Sequence, residues 1–135
     1  MSKAIPTISK YMTVLPHSIG FDQPIEKAEH MMKEYKVRHL PVLNGGHLVG
    51  ILSERDIQLL LSFPDVDEKK VTVEDAYTAD PYKTSPEAPL DQVCKEMATH
   101  KYGCALVVDN NKLVGIFTWV DALNAMAHLM ETRLK

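Results

Sequence analysis

The apolar residues of this chain follow two periods that alternate twice along its length. Ile25, Ala28, Met32 and Tyr35 stand three or four apart, the spacing of an amphipathic helix with one buried stripe. Leu90, Val93, Cys94, Met97 and Ala98 predict a second such helix. Behind each stripe come two short apolar runs parted by turn formers. LPVL and HLVGIL flank Asn44-Gly45-Gly46, and ALVV and KLVGIF flank Asp109-Asn110-Asn111. Runs of this kind around residues that tolerate left-handed backbone predict β-hairpins. A further helix follows each hairpin, roughly Glu54 to Leu61 and Val120 to about Arg133. Ahead of each first helix a proline opens a short extended segment, Pro16 to Ile19 and Pro81 to Thr84. These first helices are expected to start near Asp22 and Glu87, with Pro24 and Pro89 tolerated in the first turn.

The two halves match residue by residue. Sliding the chain by 65 positions, from Gly50 to Gly115, aligns Thr13 with Thr78, Pro16 with Pro81 and Pro24 with Pro89. The same offset aligns Met32 with Met97, Lys36 with Lys101, Val42 with Val107, Leu48-Val49-Gly50-Ile51 with Leu113-Val114-Gly115-Ile116, and Asp56 with Asp121. No gap is needed between Thr13 and Asp56. A single offset that aligns turns, apolar positions and a closing motif together marks an internal duplication. Each unit reads β-α-β-β-α over ~55 residues, a size that buries little surface alone, so two units are expected to share a core. The predicted division is a first repeat over 8–62, a linker over 63–72 and a second repeat over 73–130. The connecting stretch SFPDVDEKKVTVEDAYTAD is charged and reads as solvated, leading into a short helix near Val73 to Tyr77.

Composition narrows the function classes. The 135 residues carry a net charge of −3, which argues against a dedicated nucleic-acid binder. No apolar run approaches the ~20 residues that span a bilayer. The start of the chain lacks the apolar core of a signal peptide, so a cytoplasmic location is expected, without membrane contact. Cys94 and Cys104 read as buried thiols rather than a disulfide. His17, His30, His39, His47, His100 and His128 are scattered without metal-ligand spacing such as H-E-x-x-H. G-x-S-x-G, P-loop and G-x-G-x-x-G motifs are missing from the sequence, so neither an enzyme nor a metal or required cofactor is expected.

The candidate chemistry lies in GILSERD (Gly50 to Asp56) and its echo GIFTWVD (Gly115 to Asp121). Gly50 and Gly115 end their strands, where a missing side chain permits close backbone approach to a ligand. Ser53 and Thr118 then open helices, whose N-termini offer N–H groups and positive dipole to phosphate. Asp56 and Asp121 fall in the first turn. A carboxylate suits the vicinal hydroxyls of a ribose better than phosphate. The same residues also nearly match a capping box, which needs no ligand at all. Trp119 reads as a packing residue at a core, cleft rim or interface.

With the duplication, the element order, HLPV at His39 to Val42, SERD at Ser53 to Asp56, VEDAYTADP at Val73 to Pro81 and TSPEAPL at Thr84 to Leu90, the chain resembles a tandem CBS domain pair, the Bateman module. The resemblance covers about residues 8 to 130 and predicts a stand-alone module of α+β class. It implies two β-α-β-β-α repeats packed sheet to sheet about a pseudo-twofold axis, with two clefts and often a homodimer. Clefts of the family often bind adenosine-containing ligands. AMP, ADP or ATP is the first expectation here, with S-adenosylmethionine and NAD behind them. By the same resemblance, one site would join Gly115, Thr118 and Asp121 to Ser18, Ile19, Arg38, His39 and Pro41. A second, weaker one would join Gly50, Ser53 and Asp56 to Lys83, Thr84 and Cys104. It departs from the family pattern, since Gly103 stands where Arg38 does and Leu106 replaces Pro41. The expected function is a sensor that signals to an unidentified effector protein. The competing reading is a ligand-free dimeric scaffold whose boxes only cap helices.

Overall fold

Two hairpins with identical turns anchor the fold. The computed structural model describes residues 4–134. Its first repeat runs through β1 (Thr13–Val14), β2 (Ile19–Gly20), α1 (Ile25–Tyr35), β3 (His39–Asn44), β4 (His47–Ser53) and α2 (Glu54–Leu61). The second runs through β5 (Thr78–Ala79), β6 (Lys83–Thr84), α3 (Leu90–His100), β7 (Cys104–Asp109), β8 (Lys112–Thr118) and α4 (Trp119–Arg133). Asn44 pairs with His47 and Asp109 with Lys112, so each hairpin closes over two residues. Those residues are left-handed in both loops, φ 58° and 83° at Gly45 and Gly46, 50° and 64° at Asn110 and Asn111. Two left-handed residues in succession match the right-handed twist of the flanking strands, which explains the Gly and Asn content. The duplication extends to other unusual backbone: Leu15 and Asp80, and the helix-ending Lys36 and Lys101, are left-handed pairs at the same offset.

The chain forms two compact units whose limits differ from those of the sequence repeats. One is His17–Pro81; the other joins the chain up to Pro16 with the chain from Tyr82 onward. The cause is an exchange of leading segments. β5, at the head of the second repeat, pairs antiparallel with β4, giving the sheet order β2-β3-β4-β5. β1, at the head of the first repeat, pairs antiparallel with β8, giving β1-β8-β7-β6. Each arm also starts with a 3-10 turn, Ile8–Lys10 or Val73–Asp75, whose first residue is fully buried. The charged stretch is exposed from Ser62 through Lys70 apart from half-buried Val66, and burial resumes at Val71 rather than beyond a wholly solvated linker.

The arms also settle how the prolines are used. Pro24 and Pro89 are N-caps with extended backbone rather than first-turn residues, and neither helix has a side-chain cap. The free N–H of Ile25 donates instead to Val71 O at 3.0 Å, and that of Leu90 to Pro6 O at 2.9 Å. Val73 N–H returns a bond to Gln23 O and Ile8 N–H to Ala88 O, both at 2.8 Å. One of the orphan donors that each of these helix starts exposes is thus satisfied by the arm.

The two cores are built from equivalent positions. Ile25, Ala28, Met32, Leu40, Val42, Leu52 and Val73 bury together in one unit. Leu90, Val93, Met97, Ala105, Val107, Phe117 and Ile8 do so in the other. Ala105 is smaller than Leu40, while Val93 and Phe117 are larger than Ala28 and Leu52. Such opposed changes keep total volume, which cores tolerate better than net gain or loss. Tyr35 and Ala98 lie outside the buried stripes predicted for them. Tyr35 stacks instead on His17, ring centroids 3.6 Å apart.

Candidate functional site

Both repeated motifs end a strand and begin a helix. Ser53 and Thr118 have extended backbone, which turns the chain from β4 into α2 and from β8 into α4. Ser53 Oγ accepts from Asp56 N–H at 3.0 Å, and Ser53 N–H donates to Asp56 Oδ2 at 3.0 Å. Thr118 N–H donates to Asp121 Oδ2 at 2.9 Å, while Asp121 N–H reaches Thr118 Oγ1 at 3.5 Å. Both motifs are therefore complete capping boxes. Part of the anion-binding capacity expected of α2 is also taken internally, because Glu54 N–H donates to Arg38 O at 2.9 Å.

Each carboxylate also receives a hydroxyl donor from the arm. Thr13 Oγ1 donates to Asp121 Oδ1 at 3.1 Å. Thr78 Oγ1 lies 3.4 Å from both oxygens of Asp56. Sequence reasoning missed these two threonines as site residues. The available signal was their place as an identical pair in the 65-residue alignment. The glycines serve the same arms. A Cβ on Gly50 would collide with the Thr78 carbonyl and the Tyr77 ring, and one on Gly115 would stand 2.6 Å from Met12 Sδ.

The remaining candidates divide between the units. Ser18, Ile19, Arg38, His39 and Pro41 lie with Gly50, Ser53 and Asp56 in His17–Pro81; Lys83, Thr84 and Cys104 lie with Gly115, Thr118 and Asp121 in the other unit. Each predicted grouping therefore draws on both. Within one unit, His39 is paired in register with Ser53, and Pro41 with Ile51. Burial holds the His39 imidazole below its ordinary pKa; Asp56 and Glu54 oppose that shift and Arg38 adds to it. Arg38 is exposed, Ser18 half-buried, and Ile19 buried opposite Val42. In the other unit Cys104 takes the place of His39, opposite Thr118. Burial pushes the Cys104 thiol up to about 12, so it stays protonated. Lys83 is exposed opposite Leu106 and Thr84 half-buried opposite Val107.

Trp119 is the first residue of α4 and is 62% exposed, with Nε1 donating to Tyr102 O at 3.0 Å. A concavity of about 420 Å³ lies between the arm, α3 and α4; its walls are apolar apart from Asp91 and Arg133, and neither Thr118 nor Asp121 lines it. Among the described residues, His, Cys, Asp and Glu form no group that could hold a metal ion. No described helix is long and apolar enough to cross a membrane.

Comparison with known proteins agrees with this architecture. The CBS domain family model matches twice, over residues 1–62 and 73–128. The chain is 28% identical over 134 residues to inosine-5′-monophosphate dehydrogenase of Korarchaeum cryptofilum. That match covers 98% of this chain and 27% of the dehydrogenase, so the chain spans about a quarter of its length. AcuB from Vibrio cholerae superposes with a TM-score of 0.86 at 27% identity, covering 95% of both chains. CBSX2, whose crystal structure is a complex with AMP, superposes with a TM-score of 0.81 at 25% identity, covering 92% of this chain and 98% of that one.

Proposed function

Given that this chain belongs to the CBS domain family, we propose that it is a regulatory module that binds an adenosine-containing ligand and signals to a partner by conformational change. AMP, ADP and ATP are the ligands proposed first; S-adenosylmethionine and NAD follow. The observation that carries the reading is the twice-built Ser/Thr-x-x-Asp box, which holds a carboxylate at a helix start in each unit. The AMP complex of CBSX2 supports adenosine as the ligand class. In the proposed roles, Asp121 accepts from ribose and Thr118 lies beside it, with Gly115 three positions before the strand end. Arg38 supplies an exposed cation for phosphate, and His39, neutral near pH 7, supplies a hydrogen-bond donor. Ser18, Ile19 and Pro41 complete the proposed set. Gly50, Ser53, Asp56, Lys83, Thr84 and Cys104 form the weaker second set. A homodimer and an effector protein are the proposed partners. Signalling requires that the ligand bind two arrangements of the protein with different affinity.

The complete capping boxes favour a second reading, an interaction scaffold in which these residues only terminate strands and start helices. Thermal unfolding with a panel of adenine nucleotides, S-adenosylmethionine and NAD separates the two. A ligand at a hundred times its dissociation constant adds about 2.7 kcal/mol to stability. A ligand-induced rise in melting temperature that Asp121→Ala or Arg38→Ala abolishes supports the sensor. A panel that leaves the melting curve unmoved supports the scaffold.

A further inference from the structure

The arm threonine and a ribose would draw on the same carboxylate oxygens. An ionised carboxylate offers about four acceptor positions over its two oxygens. At Asp121, Oδ2 takes Thr118 N–H at 2.9 Å and Thr118 Oγ1 at 3.3 Å, and Oδ1 takes Thr13 Oγ1 at 3.1 Å. One position on Oδ1 stays open. A ribose cis-diol brings two hydroxyl donors, so its second hydroxyl meets an occupied position. At Asp56 the crowding is less. Oδ2 takes Ser53 N–H at 3.0 Å, and the single hydroxyl proton of Thr78 is shared across both oxygens at 3.4 Å.

We infer that Thr13 is a specificity-determining positioning residue for a ligand at Asp121: its hydroxyl occupies the acceptor position that a second ribose hydroxyl would need. The inference rests on the nucleoside reading above. It makes Asp121 in the native protein a one-hydroxyl acceptor, poorly able to tell a ribose from a deoxyribose. Removing the Thr13 hydroxyl opens Oδ1 without loosening the carboxylate, because the capping box still holds Oδ2. Nor does it undock the arm. Thr13 is exposed, the ladder pairs Thr13 with Ile116 and Val14 with Gly115, and Ile8 stays buried in the core. Valine keeps the shape and suits a strand.

The test is calorimetric titration of AMP and 2′-deoxyAMP into the wild type, Thr13→Val, Thr13→Ser and the double variant Thr13→Val/Asp121→Asn, each checked for a cooperative melt. A hydrogen bond to a charged group carries enough energy to expect a preference for AMP over 2′-deoxyAMP about tenfold greater in Thr13→Val than in the wild type. Thr13→Ser should keep the wild-type ratio, and the added Asp121→Asn should remove the gain. Binding of AMP with the same ratio in wild type and Thr13→Val overturns the inference and leaves the nucleoside reading standing. Binding of AMP to none of the proteins overturns both.

Discussion

Gly50 lies directly beneath the backbone carbonyl of Thr78, leaving no room for a methyl group between them. The obstacle is main chain held in the β4–β5 ladder, where Gly50 pairs with Ala79. At Gly115 the nearest atom is Sδ of Met12, a flexible side chain, with Thr13 O at 3.0 Å. Overpacking of this kind costs about 1–3 kcal/mol. Gly50→Ala should therefore lower the stability measured by urea denaturation more than Gly115→Ala does. Equal losses would show that the arms yield alike.

The capping boxes make a prediction that needs no ligand. Asp56→Ala and Asp121→Ala each remove the carboxylate that accepts from the Ser53 or Thr118 N–H, while the N-cap oxygen stays, a loss of about 0.5–1.5 kcal/mol for one hydrogen bond. Denaturation of the ligand-free protein measures it. A loss of this size beside a lost ligand response would show both roles in one residue; unchanged stability would mean the boxes are idle as caps.

Ile8 is fully buried among residues that lie more than eighty positions away, including Leu90, Val93 and Phe117. Truncating such a side chain costs about 2–5 kcal/mol. Ile8→Ala should shift the urea midpoint accordingly, and amide exchange should accelerate in β7 and β8. Protection that survives there unchanged would refute the docking of the arm.

His39 gives stability a pH dependence of known sign. Its folded pKa lies below the ordinary 6.5, chiefly through burial, with Arg38 assisting and Asp56 and Glu54 opposing. The unfolded chain therefore takes up the proton first. The contribution is complete above the unfolded value and is lost as pH falls from about 6.5 through the folded value. His39→Gln should show a shallower fall in stability over that window. Parallel curves for the two proteins would remove His39 as the cause.

Thiol chemistry follows burial. With Cys104 pushed up to about 12 and Cys94 also raised by burial, neither presents much thiolate at pH 8. Ellman's reagent should react slowly with the native protein and release two equivalents after denaturation. A fast native equivalent would show an open site.

The hairpins, the four long helices and the class of fold were legible because each is dictated by neighbours in sequence. Asn44-Gly45-Gly46 sets its own turn, and Ile25, Ala28 and Met32 set their own face. The segment exchange was hidden because β1 and β5 are two residues long and carry no periodicity; only distant partners make them strands. Pro24 and Pro89 were misplaced by one turn's logic for the same reason. Their helices are capped by carbonyls of Val71 and Pro6, which no local pattern announces. The box residues themselves were legible in GILSERD and GIFTWVD, whereas Thr13 and Thr78 needed the arms in place.

The exchange of arms also orders the birth of the protein. The unit His17–Pro81 is one continuous stretch, so every contact it needs has emerged from the ribosome once Pro81 is clear. The other unit is split across the chain. Its first strand is made before anything it will pair with, and Ile8 must wait for Phe117, more than a hundred residues later in the chain. Closing so long a loop costs more entropy than a local contact and slows folding. During elongation, then, the N-terminal arm is an unpaired strand edge with a bare apolar anchor, the segment of this chain for which a nascent-chain chaperone has most to do.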